Sequence, residues 1–264
     1  MGLVLPAKLV KEKYVQEILQ LRRDFVGFTP ATQRLDGILR NIIRLQRHQL
    51  PHQLPDLILA PTQFYQWALP RLAQLALTPN QLSAHFMRLD RCLQNYRQFL
   101  QTYFGFWGQI TQEVAAGFAR LPGKHYLEVM AGNGYLSYGL RRLHQQVYTT
   151  DSLSWTGENQ TGRQPWTTVV PLDACKAYRK YRGNIDYVVM VWSPDGVPVD
   201  WQLLQLMRQD QRQIPLLCVG ERNGCTNSKQ FWQTAHFVNN PEIQRLNQCF
   251  SPLDLVREQV FWIE

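Results

Sequence analysis

The 264-residue sequence predicts an α/β protein, with a mainly parallel sheet over residues 106–264 preceded by an all-helical domain over residues 1–105. Three observations predict it. Up to about residue 120, apolar residues recur at helical spacing with few strand signals. Beyond that point, short β-branched runs alternate with helical stretches. Those runs are almost continuously apolar, as strands are when helices cover both faces of a parallel sheet.

The helices come first. One is expected from about Lys8 to Phe25, with Val10, Tyr14, Ile18 and Leu21 on one stripe. A second runs from about Ala31 to Gln49 and turns Leu35, Ile38, Leu39, Ile42 and Leu45 inward. Pro61 and Thr62 open a third, carrying Phe64, Trp67, Leu72 and Leu75. Thr78 and Pro79 supply a cap and a first-turn proline for a fourth, which reaches about Tyr103. Gly105 and Gly108 interrupt it before a helix from about Gln109 to Leu121. Five strands are then expected, opening near His125, Gln145, Thr167, Ile185 and Ile214, and EQVFWIE ends the chain as a last one. Little sequence separates the fifth strand from that last one, which leaves little room for a full seven-stranded sheet.

Composition narrows the function. The chain is 45% hydrophobic and 18% charged, ordinary for a packed globular protein. No apolar run approaches the roughly 20 residues of a spanning helix. The opening MGLVLPAKLVKEKY has too short an apolar run for a signal peptide, and Pro6 stands where a myristoylation signal needs a small hydroxyl residue. Five cysteines without metal-ligand spacing suggest free thiols and no metal site. The expectation is a soluble, cytoplasmic protein with no membrane partner. The net charge of +8 favours anionic partners. Residues 1–120 hold 14 Lys/Arg against 7 Asp/Glu, and residues 121–264 hold 14 against 13. The excess therefore belongs to the helical part, which makes nucleic acid a candidate partner there and an anionic acceptor a candidate substrate. A second basic cluster, Lys176, Arg179, Lys180 and Arg182 with Tyr178 and Tyr181, reads more simply as a solvated helix face.

The informative stretch is LEVMAGNGYLS, Leu127 to Ser137. A strand ends in the acid Glu128, and the chain turns through Ala131, Gly132, Asn133 and Gly134 into a helix starting near Tyr135. Glycines at such a turn let the backbone approach a ligand closely. A nicotinamide dinucleotide would bring a pyrophosphate, which the carboxylate at the head of this turn repels. Three further strand ends carry acids or polar groups: Asp151 with Ser152 and Leu153, Asp173 with Ala174, and Trp192–Ser193–Pro194–Asp195. Ligands of parallel sheets bind outside the carboxyl ends of the strands.

These residues resemble motif I and the following strand ends of the class I, Rossmann-like methyltransferases that use S-adenosyl-L-methionine. Gly132 and Gly134 match the second and third glycines of the motif, and Met130 departs from the first. The resemblance covers residues from about 106 to 264 and implies methyl transfer from S-adenosylmethionine. It implies that Glu128 faces the cationic methionine end, that Asp151 takes the ribose hydroxyls beside Ser152 and Leu153, and that Asp173 takes the adenine amino group with Ala174 under the ring. It implies that Trp192 and Ser193 lie where the methionine end and the acceptor meet. Asp195 and, past the fifth strand, Glu221 are catalytic candidates by position. Tyr103, Phe104, Phe106 and Trp107, ahead of the first strand, either close over the cofactor or pack between domains. Three other readings stay open: a cofactor-binding regulatory protein without catalysis, a nucleic-acid-binding protein using the helical domain, and a nicotinamide-dependent oxidoreductase.

Overall fold

The computed structural model describes residues 5–71 and 78–264. Leu72 and Leu75, expected on the third helix, lie outside the described residues, as do the first four. Contacts divide the chain into two units, Met1–Phe99 with Ser251–Leu255, and Leu100–Phe250 with Val256–Glu264.

The first unit is helical. Its elements are α1 (Ala7–Val10), α2 (Lys13–Asp24), α3 (Thr29–Gln46), α4 (Pro61–Ala68), α5 (Pro79–Gln94) and the start of α6 (Tyr96–Phe104). The expected first helix is two pieces separated at Lys11 and Glu12. The break rotates the stripe, so that Leu9 is buried and Val10 is exposed, contrary to the sequence expectation. The long fourth helix is likewise divided, at Asn95. Thr78 does begin α5, in a capping box with Gln81, and Pro79 lacks the N–H that the first turn could not have paired. Leu35, Ile38, Leu39, Ile42 and Leu45 are all buried, as the α3 stripe requires. Phe25, Phe28, Phe64 and Trp67 form an aromatic cluster with ring centroids 5.1–6.4 Å apart. The returning segment Ser251–Leu255 joins this unit through Leu57 N–H to the Pro252 carbonyl (3.0 Å) and the Arg97–Asp254 ion pair (2.6 Å).

The second unit is α/β. After α7 (Gln112–Ala119, capped by Thr111), the chain forms β1 (His125–Val129), α8 (Tyr135–Arg142), β2 (Gln146–Asp151), β3 (Val170–Pro171), α9 (Ala174–Tyr181), β4 (Tyr187–Val191), α10 (Val199–Arg208), β5 (Leu216–Gly220), α11 (Lys229–Thr234), β6 (Phe237–Val238), α12 (Pro241–Asn247) and β7 (Gln259–Ile263). They build a seven-stranded sheet in the order β3-β2-β1-β4-β5-β7-β6. The first five strands are parallel, and β7 runs antiparallel to both β5 and β6. The full sheet fits after all, because β6 needs only two residues and β7 slots antiparallel between β5 and β6. β3 is shorter than expected: it sits at the edge, and Pro171 has no N–H to extend the ladder. Leu127, Val129, Val188, Met190, Leu216 and Cys218 are wholly buried against α9, α10 and α11. Chain order reverses between β1 and β4, which are neighbours, and this opens a crevice at their carboxyl ends.

Candidate functional site

The site is a cavity of about 450 Å³ over that crevice, lined wholly by residues of the α/β unit. Its size lies within the roughly 300–1,000 Å³ of small-molecule sites. The glycine turn forms its floor. Gly132 and Gly134 have φ of 55° and 71°, in the left-handed region. Gly132 donates its N–H to Asp151 Oδ2 (2.7 Å), which ties the turn to the end of β2. Asp151 Oδ1 accepts from Leu153 N–H (2.6 Å).

Three of the eight described non-glycine residues in this backbone state lie at these strand ends: Met130 (φ 52°), Leu153 (φ 59°) and Trp192 (φ 55°). They stand just past β1, β2 and β4. Each left-handed non-glycine residue costs on the order of 1–3 kcal/mol, and such strain collects at ligand sites. Met130 thus takes a conformation that favours glycine while carrying a side chain, whose sulfur meets Ser193 Oγ at 3.8 Å.

Glu128 is almost fully buried. Its Oε2 accepts Ser137 N–H (2.8 Å) and the Ser137 hydroxyl. The reason is local. Gly134, the N-cap of α8, has no side chain, so Glu128 satisfies a first-turn N–H in its place and puts negative charge at the positive end of the helix. Burial nonetheless pushes its carboxyl up from 4.5 to about 7, against the Ser137 hydrogen bonds and the nearby Arg141 guanidinium. Asp173 caps α9 through Lys176 N–H (2.9 Å), and this bond with the Lys176 ammonium holds its carboxyl below the usual range.

The cavity gathers Glu128, Ala131, Gly132, Asp151, Ser152, Asp173, Ala174, Trp192 and Asp195 from the residues the sequence singles out. It leaves out others. Asn133 is turned away: its side chain bonds the Phe104 and Gln160 carbonyls and the Gln164 N–H, and its own carbonyl accepts Trp166 N–H. Gly134 faces Thr167, whose methyl lies 2.9 Å from where a Cβ would sit. Leu153 and the buried Ser193 flank the cavity without lining it. Glu221 is spent on structure, accepting Cys225 N–H (3.1 Å) and Arg257 N–H (2.8 Å). Of the aromatics ahead of β1, Trp107 lines the cavity, whereas Tyr103, Phe104 and Phe106 do not.

Sequence reading missed one wall. Ser154, Trp155, Asn159 and Thr161 line the cavity from the connection between β2 and β3, and Trp107 Nε1–H donates to Thr161 Oγ1 (2.9 Å). That connection has no periodicity to read; the one signal in it is the concentration of Gly, Asn, Thr and Trp between Trp155 and Trp166. Among the described lining residues, Glu128, Asp151, Asp173 and Asp195 are acidic and none is Lys, Arg or His. Four carboxyl groups and no cation suit a ligand that is cationic or rich in donors.

No family model matches the chain, and no curated protein matches it. Solved structures similar to it include TrmK of M. capricolum in complex with S-adenosyl-homocysteine (13% identity, 57% of this chain and 66% of that one, TM-score 0.30). A type I restriction-modification methyltransferase subunit from Streptococcus thermophilus aligns at 12% identity over 99% of this chain and 66% of that one, with TM-score 0.37. Human N-acetylserotonin methyltransferase in complex with SAM aligns at 12% identity over 87% of this chain and 61% of that one, with TM-score 0.30. The chain spans less than two thirds of the length of each.

Proposed function

We propose that the α/β unit binds S-adenosylmethionine and transfers its methyl group to an acceptor. One observation carries the reading. The N-terminus of α8, where a dinucleotide-binding turn would cradle a pyrophosphate, already holds the Glu128 carboxyl, and the described lining residues include acids but no Lys, Arg or His. A sulfonium nucleoside with an amino group suits that wall; a doubly phosphorylated one is repelled by it. In this reading Glu128 faces the ammonium and sulfonium end. Asp151 has one oxygen on Gly132 and the other on Leu153, and each keeps a free lone pair for a ribose hydroxyl. Asp173 and Ala174, past β3, receive the adenine edge. When bound, the group supplies an activated methyl on a positively charged sulfur. The chain's part is then to hold both reactants in line and keep water out, which can lower a barrier by roughly 7–11 kcal/mol.

Thermal unfolding with S-adenosylmethionine, S-adenosylhomocysteine or NAD tests the assignment. At a hundredfold excess over Kd, a ligand that binds only the folded state adds about 2.7 kcal/mol. The two sulfur nucleosides should raise Tm and NAD should not; a Tm raised by NAD alone would reverse the assignment.

A second reading concerns the helical unit. Arg40, Arg44 and Arg47 follow one another along one flank of α3, where the acid Asp36 is paired with Arg22. We infer from this row that the helical unit holds a nucleic-acid backbone. Binding of a random RNA and DNA duplex at two salt concentrations tests it, since phosphate contacts lose affinity steeply as salt rises.

A further inference from the structure

The cavity runs past more strand ends than the cofactor reading uses. Asp151 ends β2 and Asp173 lies beyond β3; Trp192, Asp195, Val197 and Val199 lie beyond β4, on the other side of β1 in the sheet. Ile110 belongs to this second end, since the nearby Gly108 packs against Val191 at the end of β4. Its wall is apolar and aromatic apart from the exposed Asp195 carboxylate and the Cys225 thiol.

Two properties of this end select a substrate class. Among the described lining residues there is no cation to hold an anionic acceptor, so the charge of the cavity runs opposite to that of the whole chain. The charged side chain at this end is the exposed Asp195 carboxylate, which favours an acceptor that brings N–H donors and positive charge.

Resting on the cofactor assignment above, we propose that the acceptor is an amine nitrogen carried on an apolar, ring-sized body, seated against Trp192, Ile110 and Val197 with its N–H toward Asp195. The ammonium first gives a proton to Asp195 or to water, which frees the nitrogen lone pair. That lone pair forms the N–C bond to the methyl, and the S–C pair returns to sulfur, which becomes a neutral thioether. The methylated nitrogen is left as an ammonium.

The test titrates benzylamine, benzyl alcohol and benzoate into the full chain saturated with S-adenosylhomocysteine, reading tryptophan fluorescence. Benzylamine should bind at least about fivefold more tightly than benzoate, and Asp195→Asn should shrink the gap about threefold, as suits one exposed charge pair. Asp195 is exposed, so the substitution leaves the core intact. Benzoate binding as well as benzylamine, an unchanged gap in Asp195→Asn, or no binding by any of the three overturns the proposal. If S-adenosylhomocysteine itself fails to bind in calorimetry, the cofactor assignment falls, and this inference with it.

Discussion

Replacing Glu128 by Gln isolates the electrostatic cost at the heart of the site. The amide keeps an oxygen to accept from Ser137 and removes the charge. In the folded protein burial raises this carboxyl from 4.5 to about 7. For an acid the sign follows directly: a raised folded value means the native state holds its proton longer than the unfolded chain. The stability linked to Glu128 is therefore fully present below pH 4.5 and drains away as pH rises toward 7, at about 1.4 kcal/mol per pH unit. Over the whole interval the loss is about 3 kcal/mol. Part of it has already occurred at pH 5, so Glu128→Gln should gain about 2–3 kcal/mol on the wild type between pH 5 and pH 8. Urea unfolding of both proteins at each pH measures the difference directly. A bound cation should also drive the proton off. Calorimetry at pH 7, in two buffers of different ionisation enthalpy, should find about half a proton released per S-adenosylmethionine by the wild type and none by the variant. Parallel stability curves for the two proteins, with equal proton release, would refute the account of Glu128 as a buried acid poised against a cationic ligand.

Three further outcomes are expected. Asp151→Ala should weaken S-adenosylmethionine binding more than about tenfold in calorimetry, because it removes the proposed ribose acceptor and frees the Gly132 and Leu153 N–H groups together; unchanged affinity would move the site elsewhere. Trp107→Phe deletes the bond to Thr161 and should speed release of S-adenosylhomocysteine about fivefold in stopped flow, the equivalent of one hydrogen bond of about 1 kcal/mol. Asp200, wholly buried, accepts Trp201 N–H, Ser228 N–H and the Ser228 hydroxyl at 2.7 Å each, so Asp200→Ala should cost about 3–5 kcal/mol in urea unfolding while ligand affinity in the remaining folded protein stays near wild type.

The sequence by itself determined the alternation of strand and helix, the stripe on α3, the cap at Thr78, and the row of strand ends carrying Glu128, Asp151, Asp173 and Asp195. These are local: each depends on residue type at a spacing that one element enforces. Only the tertiary structure decided what non-local pairing sets. It gave β6 two residues and placed β7 between β5 and β6, because partners and not propensity make so short a strand. It turned Asn133 and Glu221 away from the cavity, since each found hydrogen bonds in a neighbouring segment. It brought Trp155 and Thr161 into the wall from a connection with no period to read. The identity of Glu128 was legible in the chain; that it stands in for the missing side chain of Gly134 at the head of α8 became visible only once strand and helix were packed together.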